Sequence, residues 1–404
     1  MFLISSKATD TASESAWKKA MAVNRIEDPI GFAEFMLGKT SRTFALNIQV
    51  LPAGLRRQVL LAYLFCRMAD TLEDDAELPA DAKIRLLEDF RALFPLEGNW
   101  EHRLALLLAA IPEDWARSDR WDRLLVVHAH WIIPQLNEFS QPVSEAISAC
   151  VREMCDGMID FTAKPSRTGA KAKAGDSAGP VLIETMEDLD RYCYFVAGTV
   201  GNMLCDLFSL HSPLIGKERA AALKSLSVSF GLGLQLTNIL KDIHDDRLRN
   251  VSYIPLSLLA KENLTEQAFL APEGREGAAR IMAHLIGKAK THLEDALEYS
   301  CLLPRMEPRL RLFCLWPLFM AAETIALIAE NMDGIQDQAK LKISRTQVSR
   351  IVRKTSLACW SNRWLHALFR STLSGLENHL ERVKKSSGSG QSDQYAAGAL
   401  GARS

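Results

Sequence analysis

Apolar residues recur along nearly the whole chain at spacings of three and four, the period of an α-helix, and no long stretch alternates as a β-strand would. The pattern predicts helices over about 28–47, from Pro52 to Asp75, and over 81–95, 100–111 and 115–139. It resumes over 141–163 and 184–209, in a segment ending near Asn250, and over 275–301, 307–332 and 346–385. The expected fold is all-α, in one domain over 26–385. Residues 1–25 read as a polar N-terminal arm and 386–404 as a disordered tail. Residues 164–180, rich in Lys, Ala, Gly and Ser between Pro165 and Pro180, read as a mobile inserted loop.

Two of these helices carry a stripe that breaks the apolar rule. Tyr63, Arg67, Asp70 and Asp74 fall at i, i+4, i+7 and i+11, on one face of a segment that is otherwise apolar around most of its surface. Gln235, Asn238, Asp242 and Asp246 repeat the arrangement at i, i+3, i+7 and i+11. A polar stripe on a buried helix is costly unless something else fills the space it faces. In a chain that is 24% charged, one Asp-x-x-x-Asp usually marks a solvated face. Two of them, each with an amide or a phenol further along the stripe, point to function. Facing each other, they would hold four carboxylates around one gap, which demands cations. Mg²⁺ is the expected cation, because it prefers oxygen and is commonly shared between a few carboxylates and substrate phosphates. The remaining ligand would be a diphosphate.

Other features are less decisive. Lys39-Thr40-Ser41-Arg42 would suit phosphate, and Ser41 would equally serve as a helix cap. Lys164, Arg167, Lys171 and Lys173 read first as a solvated linker. Ala197, Gly198 and Gly201 lie near one helix face, as either a tunnel wall or a tight helix contact.

The 48 basic and 49 acidic residues leave a net charge of −1, which gives no reason to expect nucleic acid as a partner. The eight cysteines form no Cys-x-x-Cys pair, and Cys66, Cys150, Cys193, Cys205 and Cys314 sit in apolar helical context as reduced, buried residues. The apolar run at the N-terminus is too short for a signal peptide. Leu312–Ala329 carries Pro317 and Glu323 and reads as a buried core helix, and no other run reads as an anchor.

Six places together resemble the squalene synthases and, more distantly, the phytoene and dehydrosqualene synthases. They are Lys39–Phe44 (Lys-Thr-Ser-Arg-Thr-Phe), Asp70–Asp75 (Asp-Thr-Leu-Glu-Asp-Asp), Tyr192–Gly201, Gln235–Asp242 with Asp246, Phe313–Pro317 and Leu341–Arg345. The resemblance implies an isoprenoid-synthase-type helical bundle around a central apolar cavity. It implies head-to-head condensation of two farnesyl diphosphates through presqualene diphosphate, with Mg²⁺, and reduction by NADPH to squalene. Asp70, Glu73, Asp74, Asn238, Asp242 and Asp246 would serve the metal ions. Ser41, Arg42, Arg67 and Lys241 would grip diphosphate, with Gln235 on the same substrate-facing stripe, and Phe44, Tyr63 and Phe313 would face the carbocation. Tyr192 would relay a proton, and Lys342 and Arg345, with Asn238, would meet the cofactor phosphates. The implied location is cytoplasmic, allowing peripheral contact with the inner face of the membrane.

The chain departs from the family's pattern in places. Lys241 stands where Arg is usual, and Ser344 replaces a basic residue beside Lys342. The Tyr192–Gly201 wording is closer to the phytoene and dehydrosqualene synthases. The alternative activities are therefore presqualene diphosphate, dehydrosqualene or phytoene synthesis without the reductive step. Outside that class, a non-catalytic helical scaffold that binds divalent ions would carry the same acidic stripes.

Overall fold

The computed structural model describes residues 14–15, 17–21, 26–164, 183–248, 251–332 and 341–387. The expected inserted loop beyond Lys164 and the tail beyond Ser387 lie outside the described residues, as does most of the N-terminal arm. Within that arm Trp17 stacks near Phe32 and Phe35, with ring centroids 5.6 and 5.8 Å away.

The described residues form helices and connecting turns, with no strand. We number the longer helices α1 (Pro29–Thr40), α2 (Arg42–Gln49), α3 (Ala53–Asp74), α4 (Ala80–Arg91), α5 (Gln141–Ala163), α6 (Met186–Cys193), α7 (Thr199–His211), α8 (Lys217–Leu248), α9 (Arg275–Leu302), α10 (Pro308–Glu330), α11 (Arg345–Ala358), α12 (Asn362–Thr372) and α13 (Leu376–Ser387). Their starts follow local chemistry. The Asp28 side chain accepts the Gly31 N–H at 2.9 Å to cap α1, and Pro52 precedes α3. Thr185 and Asp188 form a reciprocal capping box at α6.

Four predicted helices are interrupted. The one over 28–47 divides at Ser41, whose extended backbone ends α1 and whose side chain caps α2. Over 115–139 the chain breaks into Trp121–Val127, Ala129–Ile132 and flanking 3₁₀ turns, and Pro134, which lacks an N–H, sits at the start of the last of these turns. The 346–385 pattern divides where Ser361 caps α12 and again around Gly375. The 184–209 helix contains a π turn at Tyr194–Gly198. A residue added to the helical period in this way often marks a functional site.

α3, α7, α8, α10 and α2 pack each on the next, and α2 closes the ring on α3. The two acidic helices, α3 and α8, are thus linked through α7 on one side and through α10 and α2 on the other. Close approach of α7 to α8 depends on two glycines. A Cβ on Gly201 would collide with the Ser227 carbonyl, and one on Gly231 with the Ala197 carbonyl. These small residues serve a tight helix contact.

Met186–His211 and Pro308–Glu330 are each long and apolar enough, by length and composition, to cross a membrane. The second is largely buried in the fold, with Phe313, Leu315, Leu318 and Phe319 in the core, as the reading of Leu312–Ala329 expected. The first passes the same test where the sequence reading saw no span. It packs on α5 and α8.

Candidate active site

From Val59 to Asp75 every side chain of α3 and its cap is buried except four: Tyr63, Arg67, Asp70 and Asp74. From Val59 onward, the stripe set by helical period is therefore the one face of this helix that the protein leaves uncovered. The Phe44 ring, from α2, lies 5.2 Å from that of Tyr63. The Arg67 guanidinium lies 6.0 Å from the Tyr63 ring and 3.8 Å from the Asp70 carboxylate. Burial would lower the Arg67 pKa, but Asp70, Tyr63 and Asp74 outweigh it and raise it. Burial pushes Asp70 up from 3.8 to about 6, Arg67 opposes the rise and the neighbouring Asp74 adds to it. A carboxyl in that state gains from a cation.

Glu73 is off the stripe and buried. It faces the field of Lys83 from α4, whose own pKa is lowered by burial against the pull of Glu73, Asp74 and Asp75. Asp75 ends the motif in another role. It is fully buried and accepts 2.8 Å bonds from Arg123 Nε and Nη2 and a 3.0 Å bond from Arg120.

On α8, Lys241 Nζ donates to Asn238 Oδ1 at 3.0 Å and pairs with Asp242 at 3.2 Å. Gln235 is half-buried, Asn238 exposed, and Asp246 buried.

What joins the two stripes is a residue the sequence reading passed over. The Tyr192 hydroxyl donates to the Tyr253 hydroxyl at 3.1 Å, with the rings 4.8 Å apart. Both phenols are buried, and Phe161 meets Tyr192 edge-on at 5.4 Å. Burial, then Glu73, Tyr253 and Asp74, raise the Tyr192 pKa well above 10. Tyr253 is raised by burial, then by Asp74 and Glu73 of α3, and also by Asp246 of α8. One phenol therefore lies within electrostatic reach of acids from both helices. A cleft bounded by Ile243, Asp246, Tyr253 and Phe269 opens beside it. No periodic signal betrays Tyr253, because it sits in an irregular segment between α8 and the short helix Leu256–Lys261.

The remaining candidates are placed more simply. Ser41 caps α2, accepting the Phe44 N–H at 3.2 Å, and the Arg42 side chain lies outside the described residues. Phe313 is buried, edge-on to Phe208 at 5.8 Å. Lys342 and Arg345 are exposed at the start of α11, where Ser344 caps the helix with Gln347. No described contact brings them to the acidic stripes.

Among the described residues no three His, Cys, Asp or Glu side chains converge on a metal position. The donor set is instead split between two helices as all-oxygen carboxylate pairs. That set fits Mg²⁺, which completes its shell with phosphate oxygens and water.

Comparison with known proteins bears on the family. Residues 37–347 match the family model described as squalene/phytoene synthase. The squalene synthase of Schizosaccharomyces pombe is 32% identical over 310 residues, covering 76% of this chain and 61% of that protein. The squalene synthase of Solanum lycopersicum is 30% identical over 329 residues, covering 80% and 70%. Among solved structures, TcSQS with a bound ligand superimposes with a TM-score of 0.70 at 23% identity, covering 90% of this chain and 99% of that one. A dehydrosqualene synthase with a bound ligand gives 0.54 at 20% identity, covering 81% and 95%. These two likenesses concern the fold. By the extent of the family match and the identity to these relatives, the chain belongs to the squalene/phytoene synthase family.

Proposed function

We propose that the protein is a squalene synthase, a farnesyl-diphosphate farnesyltransferase that joins two farnesyl diphosphates head to head and reduces the presqualene diphosphate formed to squalene with NADPH. The observation that carries this reading is the Tyr192–Tyr253 pair within electrostatic reach of both acidic helices. It supports a reading in which a proton-handling group would stand beside the diphosphate head that those helices would bind.

Asp70 and Asp74 on one side, and Asp242 and Asp246 on the other, would hold Mg²⁺, with Glu73 and Asn238 assisting. Bound Mg²⁺ neutralises the diphosphate and makes it a better leaving group. Arg67 and Lys241 lie on the same stripes and would hold the diphosphate oxygens. Ser41 and Arg42 would add to that grip, with Gln235 one turn before Asn238 along α8. Phe44 and Tyr63 offer ring faces that tolerate an allylic cation without reacting with it. Phe313 would do so from the core.

Closing the cyclopropane releases a proton. With both phenol pKa values raised, neither tyrosine holds a negative charge at neutral pH. Tyr192 would accept the proton only as it passes its own to Tyr253, and so onward to the acidic, diphosphate-bearing end of the site. Lys342 and Arg345, at the N-terminus of α11, would meet the phosphates of NADPH.

The test is incubation with farnesyl diphosphate and Mg²⁺, with and without NADPH, followed by identification of the products. Presqualene diphosphate without NADPH and squalene with it are expected. Dehydrosqualene, or phytoene from geranylgeranyl diphosphate, would replace the reductive reading. Failure to release diphosphate under any condition would remove the enzyme reading altogether.

A further inference from the structure

The overall charge balance conceals a local imbalance. Between Leu341 and Leu376 the chain has two Lys and five Arg and neither Asp nor Glu. This stretch forms the strand of chain leading into α11, then α11 itself and α12. At the corner between those helices three large apolar side chains stand in solvent. Leu357, in the last turn of α11, is 69% exposed. Trp360, at the corner, is 53% exposed, and Trp364, in the first turn of α12, is 62% exposed. Arg353 and Lys354, one turn before Leu357, are exposed, as is Arg363 beside Trp364.

The opposite sides of the same helices are firmly packed. Ile351, Thr355 and Ala358 of α11, and Leu365 and Phe369 of α12, are buried against the bundle. The outward tryptophans are thus surplus to the core. A single exposed apolar residue is ordinary, but two indoles and a leucine within eight residues, flanked in sequence by Arg353, Lys354 and Arg363, are not.

We propose that this corner is a docking face for an anionic lipid bilayer. Indole rings favour the boundary between headgroups and acyl chains, where the ring is apolar and its N–H stays wet. Lys and Arg at the same level attract anionic headgroups, and the two contributions add. A second copy of this chain is a poor occupant, since a symmetric contact through this face would set the cations of one copy against those of the other. The inference rests on surface chemistry alone and holds whichever reaction the site performs.

The experiment is co-sedimentation of the full chain, without substrate, with vesicles of phosphatidylcholine alone or of phosphatidylcholine mixed with phosphatidylglycerol. Binding to the anionic vesicles, weakening as salt is raised, is expected. The double variant Trp360→Ser, Trp364→Ser should lose roughly tenfold or more of that binding, since both interfacial anchors are withdrawn. Arg353→Glu with Arg363→Glu should abolish the preference for anionic vesicles. Both variants should keep the wild-type melting temperature, because the altered side chains lie outside the core. Wild-type protein that ignores both vesicle types, or variants that bind as the wild type does, would overturn the proposal. So would a concentration-dependent dimer that only the tryptophan variant breaks, which would assign the face to a second copy.

Discussion

Asp70 and Asp75 are five residues apart in one acidic motif, and the protein treats them in opposite ways. Asp75 is completely enclosed, yet three guanidinium bonds from Arg120 and Arg123 hold its pKa below 3.8 against the cost of burial. Asp70 is partly exposed, its nearest cation stands 3.8 Å away, and its pKa rises to about 6. The first carboxylate is an internal anchor with its counter-charge built in. The second is poised for a counter-charge that arrives from outside. An acidic motif therefore cannot be read as a uniform cluster of ligands, and burial alone does not separate the roles.

Substitution should split the pair. Asp70→Asn should cut diphosphate release from farnesyl diphosphate by roughly 10³-fold, the scale of several kcal/mol of transition-state charge stabilisation. Its circular dichroism should stay that of the wild type. Asp75→Ala leaves the buried Arg123 guanidinium with only its 2.7 Å pair to the exposed Glu77, and should cost roughly 3 kcal/mol of stability, the low end for a broken buried pair, read as a lower denaturant midpoint. Wild-type stability for Asp75→Ala would mean that the anchor reading is wrong.

The phenol pair comes next in size. Tyr253→Phe should slow cyclopropane formation by about 10²-fold, the usual worth of a positioned proton-transfer group. Tyr192→Phe should be at least as damaging. If Tyr253→Phe turns over normally while Tyr192→Phe does not, the relay does not run through Tyr253.

The smallest effect is on pH dependence, and here the two aspartates differ in sign. In the metal-free protein Asp70 has a folded pKa of about 6 against an ordinary 3.8. Between those values the folded state holds the extra proton, so its contribution to stability falls as pH rises through the window. Asp75 has a lowered folded pKa, so its contribution is present above pH 3.8 and is lost as pH falls through the folded value. Asp70→Asn should accordingly melt slightly higher than the wild type at pH 7, with the gap closing towards pH 4. Added Mg²⁺ should also narrow it by stabilising the wild type alone.

The stripe on α3 was legible in the sequence because it is a local property. Helical period alone assigns Tyr63, Arg67, Asp70 and Asp74 to one face, and those four are the uncovered residues of the segment. The same reasoning found the long helices. It overlooked the breaks at Pro134 and Ser361, where a proline and a capping serine were available as signals. Tyr253 was not legible, since its partner Tyr192 is 61 positions away and its own segment is not periodic. The exposed corner at Trp360 was equally hidden, because its helices have an apolar face as well and only packing shows which tryptophans the core leaves out.

The claim on which the account rests is that α3 and α8 bind one metal–diphosphate head between them. Binding of Mn²⁺, as a spectroscopic stand-in for Mg²⁺, can be followed by electron paramagnetic resonance with and without inorganic diphosphate. The account predicts that diphosphate strengthens Mn²⁺ binding in the wild type, and that Asp70→Asn and Asp242→Asn each abolish that gain. Either single variant keeping the full diphosphate-dependent gain would contradict a shared site.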